Sequence, residues 1–208
     1  EFETSPFTAT DERAVVFQKH GFNRVSFGVQ SFSPSVLSRV GRGYQKTGHV
    51  RRCMDILKSR GFRINMDLLY GLPGGSLAET RSSAAAAMAL GPDSVVIYPL
   101  AAGTPALDAP GVNGAAAPFA DLGPRLADLA DKMGYAVEAD WFSTRLHARK
   151  LLRLDRAPAA YDDLHAGPLL MMCLGPTSRG HIHGRMAYRH DAYDAGSPFR
   201  ADSPTARG

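Results

Sequence analysis

The chain has 208 residues, of which 44% are hydrophobic, 9% aromatic and 21% charged. That is too apolar for a disordered chain, and no apolar run approaches the roughly 18 residues of a membrane span. Net charge is +4, and arginine supplies 19 of the 24 Lys and Arg. Arginine spread through the chain suits carboxylate or phosphate on small anions, whereas no basic stripe interleaved with aromatics points to nucleic acid. Two cysteines, Cys53 and Cys173, are too few for a disulfide framework or a multi-cysteine metal site. The first 20 residues carry no basic-then-apolar leader, so the chain reads as cytoplasmic, without a membrane span.

Phe2 and Glu3 read as the end of a strand, turned at Ser5-Pro6. Such a strand is an unprotected edge unless something pairs with it, so the chain reads as an interior piece of a longer protein. Thr10 with Asp11-Glu12 starts a helix that Gly21 stops near His20, and Arg24–Val29 alternates as a strand. Ser33-Pro34 starts a short helix to Val40. A longer helix, Thr47–Arg60, carries Val50, Met54 and Leu57 on one face. Ile64–Leu69 is a strand broken by Gly71-Leu72-Pro73-Gly74-Gly75. Ser76 and Glu79 form the capping box of a helix that ends near Leu90-Gly91. Ser94–Tyr98 is again a strand, residues 101–118 a small-residue loop, Phe119–Met133 a helix, and Tyr135–Phe142 extended. Residues 191–208 read as a loose tail.

Short apolar strands alternating with helices imply parallel βα units, an α/β fold whose ligands sit at the carboxyl ends of the strands. The polar residues to weigh are therefore Glu3, Gln30, Asp67 with its glycine-rich loop, and Ala101 after Tyr98. Asp67 stands in an otherwise apolar strand, and a buried carboxylate must be satisfied. An arginine, a ligand with two hydroxyls such as a ribose, or a neighbouring loop's backbone would each do so. Gln30 could read a ligand edge or simply fix its loop. Arg42, in Val40-Gly41-Arg42-Gly43, is an available or merely solvated cation. The Gly71–Gly75 loop matches neither the P-loop nor G-x-G-x-x-G spacing.

Glu3-Thr4-Ser5-Pro6, Gly21–Phe32 with its G-V-Q-S-F block, Gly41-Arg42, and Asn65–Gly74 with its D-L-x-Y-G-L-P block resemble, in order and spacing, one family. It is that of the radical S-adenosylmethionine enzymes of the oxygen-independent coproporphyrinogen III oxidase type. The resemblance covers residues 1 to about 105 and returns at Leu174–Gly180, where it departs from the family's glycine-rich segment. The Glu3–Pro6 and Tyr98-Pro99-Leu100 segments lean towards a subgroup distinct from the heme-pathway oxidase.

The resemblance implies a partial (β/α)6 barrel holding a [4Fe-4S] cluster and S-adenosylmethionine. Residues 1–105 would be the C-terminal portion of that barrel, 106–190 an oxidase-like extension, and 191–208 the tail. Glu3, Gln30, Arg42, Asp67 and Ala101 fall where the oxidase contacts S-adenosylmethionine: Asp67 on ribose hydroxyls, Arg42 on a carboxylate, Ala101 through its backbone. In such enzymes the reduced cluster cleaves the sulfonium and a 5′-deoxyadenosyl radical takes hydrogen from the substrate, here an organic molecule such as a tetrapyrrole. An electron donor would serve the cluster. The family's cluster ligands, three cysteines spaced C-x3-C-x2-C, and its glycine-rich methionine-binding segment are absent from this sequence and belong upstream of Glu3, so the 208 residues alone are expected to bind neither cluster nor S-adenosylmethionine well and to be inactive. Cys53 and Cys173 read as core thiols.

Three functions follow: an oxidoreductase of porphyrin biosynthesis; a methyltransferase or cyclopropanase using a second S-adenosylmethionine; or a non-catalytic heme chaperone of the same lineage. His181, His183 and His190 read as solvated or hydrogen-bonded rather than metal- or heme-binding. Arg145, Arg149 and Lys150, near Trp141, read as a solvated basic helix face rather than a site for an anionic substrate.

Overall fold

Serine and threonine caps mark three of the helix starts in the computed structural model, which describes residues 1–100, 119–140, 145–150, 170–171, 179–182 and 186–189. The Thr10 hydroxyl accepts from the Arg13 N–H at the start of α1 (Asp11–Lys19), and Ser33 accepts from Val36 at α2 (Pro34–Arg39). Ser76 accepts from Glu79 at α4 (Leu77–Ala89). Helix α3 (Thr47–Ser59) has no such side chain; there the Lys46 N–H donates to His49 Nδ1 at 3.2 Å. Each cap satisfies an N–H that the first helical turn leaves without a partner.

Strands β1 (Phe2–Thr4), β2 (Arg24–Gln30), β3 (Arg63–Tyr70) and β4 (Ser94–Pro99) pair in parallel in that order, as the βα alternation implies. After α5 (Phe119–Lys132) the direction changes. Strand β5 (Tyr135–Asp140) and strand β6 (Arg145–Lys150) form an antiparallel pair, and β6 also lies antiparallel to β4. The sheet order is thus β1-β2-β3-β4-β6-β5. The α/β class and its predominantly parallel sheet stand as read. The basic helix face expected at Arg145–Lys150 is corrected to a strand, because buried Leu146 and Ala148 alternate with half-buried His147 and Arg149 at the two-residue period of a strand.

One face of the sheet is apolar throughout. Val25, Phe27 and Val29 of β2, Ile64, Met66 and Leu68 of β3, and Val95 and Ile97 of β4 are buried in a common core with Val50, Cys53, Met54 and Leu57 of α3. Ala84, Ala87 and Met88 of α4 and Leu122, Leu126, Leu129 and Ala130 of α5 join the same core. At the edge strand β1, Phe2 stacks on Phe17 at 3.8 Å and meets Phe22 and Phe62 edge-on. The other face carries Ser26, Asn65 and Ser94, and it is this face that the site uses. Among the described residues no helix is long and apolar enough to cross a membrane.

The chain divides into two compact units, Glu1–Asp155 and Arg156–Gly208. The described part of the second is an antiparallel sheet of β7 (Leu170–Met171), β8 (Arg179–Ile182) and β9 (Met186–Arg189). Of the sequence readings there, Leu174–Ser178, His183 and His190 fall outside the described residues, as does Cys173.

Tyr135 anchors the β5 end of the sheet. Its buried hydroxyl donates to the carbonyls of Pro92 (2.9 Å) and Met88 (3.3 Å). Removing it leaves both acceptors buried without that donor, a loss of about 1–3 kcal/mol. Tyr135→Phe is expected to lower the urea midpoint accordingly at unchanged m-value; an unchanged midpoint would contradict the anchoring role.

Candidate functional site

The register of the sheet places the polar residues in two rows. Glu3, Ser26, Asn65, Ser94 and Arg149 are partners across one row; Gly28, Asp67, Val96 and His147 are partners across the next. Residues paired across strands share a face, so Asp67 looks out on the polar side of the sheet, opposite the helices of the core.

Asp67 is half-buried, and both its oxygens are held by neutral side chains. Ser26 Oγ donates to Oδ2 at 3.0 Å and Asn65 Nδ2 to Oδ1 at 2.8 Å. Asn65 Nδ2 also donates to Ser26 Oγ (3.0 Å), while Asn65 Oδ1 accepts from Ser94 Oγ at 2.7 Å. Three strands thus contribute to one hydrogen-bonded chain that ends on a carboxylate. The partners are neither an arginine nor loop backbone, but serine and asparagine on the same face. Each carboxylate oxygen has capacity to accept again, which is what a pair of ligand hydroxyls requires.

Burial pushes the Asp67 carboxyl above its usual range, and the hydrogen bonds from Asn65 and Ser26 pull against that shift. The negative field of Glu3 adds to the rise and the charge of Arg24 opposes it. Arg24 itself is buried and paired with Glu1 at 2.6 Å.

Gln30 ends β2 in the left-handed region, φ 68°, where a residue with a side chain is uncommon. The register shifts between Gly28 and Gln30, and the Gln30 amide folds back over Gly28 so closely that a Cβ at Gly28 would collide with Nε2. Gly28 is the cross-strand partner of Asp67, so the amide lies on the Asp67 face. The Val29 carbonyl between them accepts from Gln45 Nε2 at 2.6 Å and from the Ser31 N–H at 2.8 Å.

Glu3 is exposed on β1, in the row of Ser26. Arg42 is half-buried in the turn between α2 and α3, its N–H on the Leu37 carbonyl and its own carbonyl accepting from Gln45. Ala101 lies outside the described residues, just after β4. In the glycine-rich loop, Gly74 (φ 75°) lies under the Arg39 side chain, whose Cδ would stand 2.6 Å from a Cβ there. Sequence reasoning missed Ser26, Asn65 and Ser94. The signal was available: polar residues at positions 24 and 26 of one strand and 63, 65 and 67 of the next occupy one face of each.

The described residues do not fit an iron-sulfur cluster. Among them no group of three His, Cys, Asp or Glu side chains converges on a point. Cys53 is buried in α3 against β3, and burial pushes its thiol up to about 12, far from the thiolate a cluster needs. S-adenosylmethionine fits better: Asp67 has acceptor capacity for two hydroxyls, and Gly28 leaves the space in which the Gln30 amide is cradled.

Comparison with known proteins matches residues 1–86 to the model of the Radical SAM superfamily. The heme chaperone HemW of Escherichia coli (strain K12) is 39% identical over 100 residues, 47% of this chain and 26% of that protein. The oxygen-independent coproporphyrinogen III oxidase of Paracoccus denitrificans (strain Pd 1222) is 34% identical over 97 residues, 46% of this chain and 21% of that protein. The solved coproporphyrinogen III oxidase (HemN) of Escherichia coli, at 20% identity, superposes with a TM-score of 0.69 over 92% of this chain and 46% of its own. That structure establishes the shared fold. The chain spans about a quarter of the length of the curated relatives it matches. The resemblance read from the motifs is thereby shown: residues 1–86 match the Radical SAM superfamily model, and both the oxidase and the chaperone are among the relatives.

The direction of the Asp67 shift fixes the sign of a pH effect. A carboxyl whose folded value lies above its unfolded one adds stability below the unfolded value, and that contribution is lost as pH rises through the folded value. Relative to Asp67→Asn, which cannot titrate, the native chain is expected to lose stability as pH rises above the ordinary aspartate value of about 4. Urea unfolding of the two chains across that range measures it; a gain with rising pH would contradict the burial argument.

Proposed function

We propose that the Asp67 face holds S-adenosylmethionine in a radical S-adenosylmethionine oxidoreductase of the coproporphyrinogen III oxidase type. One observation carries the reading: a half-buried carboxylate whose oxygens are each held by one neutral donor, so that it is ordered, ionisable and still able to accept. A ribose diol is a ligand of that shape and polarity, and accepting from two hydroxyls is worth about 1.5–3 kcal/mol for each charged hydrogen bond.

Asp67 would take the ribose hydroxyls and the Gln30 amide a further polar edge of the nucleoside. Arg42 would pair with the ligand carboxylate and Ala101 offer a backbone contact, while Glu3 would place a negative charge towards the cationic sulfonium. When bound, S-adenosylmethionine supplies a carbon–sulfur bond whose reductive cleavage starts hydrogen abstraction from an organic substrate, a tetrapyrrole in the oxidase. The residues of this chain bind and orient; the electron must come from a group held elsewhere. The 208 residues alone are therefore expected to bind the nucleoside weakly and not to turn it over.

S-adenosyl-L-homocysteine has the same ribose and is redox-inert. Titrated into the chain, it is expected to shift the amide resonances of Gly28, Gln30 and Asp67. Asp67→Ala should weaken binding by about tenfold or more. Shifts that avoid these residues, or an affinity indifferent to Asp67→Ala, would refute the assignment.

A second reading, a heme-binding chaperone, has its own observation besides the HemW similarity. Phe7 and Tyr44 are 44% and 58% exposed, with ring centroids 5.2 Å apart, and the His49 ring lies 4.3 Å from Phe7. Exposed rings from two loops offer a flat macrocycle something to cover. Neutral His49 accepts from the Lys46 N–H at Nδ1 and so carries its proton on Nε2, which favours ring contact over iron ligation. On this reading hemin titration gives a saturable Soret shift that Phe7→Ala with Tyr44→Ala reduces about tenfold in affinity; a shift unchanged in that variant would count against the reading.

A further inference from the structure

Two motif blocks far apart in sequence, Gly28–Phe32 and Gly71–Glu79, meet at one carboxylate. Glu79 Oε1 accepts from Ser31 Oγ at 2.6 Å and from Ser83 Oγ at 2.7 Å, and both serines are buried. With each hydroxyl proton committed to Glu79, each serine oxygen is left to accept. Ser31 Oγ takes the Ser33 N–H (2.9 Å) and Ser83 Oγ takes the Phe32 N–H (2.9 Å). The turn that follows Gln30 is thereby tied to the first turn of α4.

The tie matters because of what precedes it. Gln30 is held in the left-handed region, a strained conformation that persists only where the surroundings over-determine it. From the β2 side, Gln45 and the Ser31 N–H grip the Val29 carbonyl. From the other side, Glu79 grips residues 31–33. Released from either, the backbone can relax, and the Gln30 amide leaves its place over Gly28.

We infer that Glu79 is a positioning residue: acting through Ser31 and Ser83, it holds Gln30 in its left-handed conformation and so aims the Gln30 amide across the Asp67 face. The role needs an acceptor rather than a negative charge, which separates it from an electrostatic effect. The ligand consequence rests on the reading of that face as a nucleoside site; the conformational one does not.

The test uses Glu79→Leu, Glu79→Gln and Ser31→Ala in the 208-residue chain, with crystal structures and S-adenosyl-L-homocysteine affinities for each. Glu79→Leu is expected to move Gln30 out of the left-handed region and to weaken binding about tenfold. Glu79→Gln, whose amide oxygen can accept from the same two hydroxyls, should keep both properties within about twofold. Ser31→Ala should act in the direction of Glu79→Leu, and it carries the test if that variant does not fold. Gln30 unmoved in both Ser31→Ala and Glu79→Leu overturns the inference, as does Glu79→Gln behaving like Glu79→Leu. If Gln30 moves in Glu79→Leu but the native chain binds no S-adenosyl-L-homocysteine, the positioning role stands and the nucleoside reading falls.

Discussion

A carboxylate on a central strand of a parallel sheet has neighbours on both sides, and whatever satisfies it must come from those strands or from a ligand. Asp67 meets this constraint with Ser26 from β2 and Asn65 from its own strand, and Asn65 is in turn oriented by Ser94 of β4. Orientation of the asparagine is set at its far end: a hydroxyl donating to Oδ1 turns Nδ2 towards Asp67. Replacing any member with an apolar residue leaves the next one with a buried group to satisfy. The three strands of the polar face are therefore fixed in register by the same bonds that order the carboxylate.

The conformation of Gln30 follows from a second constraint, that of space. A strand cannot turn sharply over its own last residues unless one of them lacks a side chain, and Gly28 is the residue over which the Gln30 amide lies. A Cβ at Gly28 would meet the far end of a flexible side chain, which can swing away at little cost to folding. What it could not do is swing away and stay over Gly28. Gly28 thus protects geometry more than stability, which is the pattern expected of a site rather than of a core.

Much of this was legible in the sequence, and for identifiable reasons. Caps at Thr10, Ser33 and Ser76 and the stop at Gly21 are local chemistry, so the helices began and ended close to where the residues put them. Short strands such as Ile64–Leu69, alternating with capped helices, made the parallel sheet readable. Asp67 stood out as the carboxylate within such a strand. Its partners did not, because Ser26, Asn65 and Ser94 are ordinary residues until the register of three strands aligns them. The same holds for Glu79, which the sequence offers as half of a capping box. The Ser76 hydroxyl does cap Glu79, but the reciprocal half of the box is not formed: the Glu79 carboxylate accepts instead 48 residues away in sequence, at Ser31. Strand β6 was missed for another reason: its basic residues suggested a solvated face, and only pairing with β4 shows that Leu146 and Ala148 point inward.

The two carboxylates Glu3 and Asp67 favour one sign of ligand between them. Asp67 accepts only from neutral groups, and Glu3, one row away, adds a negative field that raises the Asp67 carboxyl further. A proton and a ligand therefore favour opposite forms of the same oxygens: burial raises the Asp67 carboxyl, whereas whatever donates two hydrogen bonds to it favours the ionised form. A ligand that also carries positive charge offsets the repulsion between the two carboxylates while it donates to one of them. A neutral diol gains only the second effect, and an anionic ligand would have to overcome the first. That ordering, cation with hydroxyls over neutral diol over anion, follows from the arrangement of Glu3, Asp67 and their neutral partners, and a sulfonium nucleoside stands at the favoured end of it.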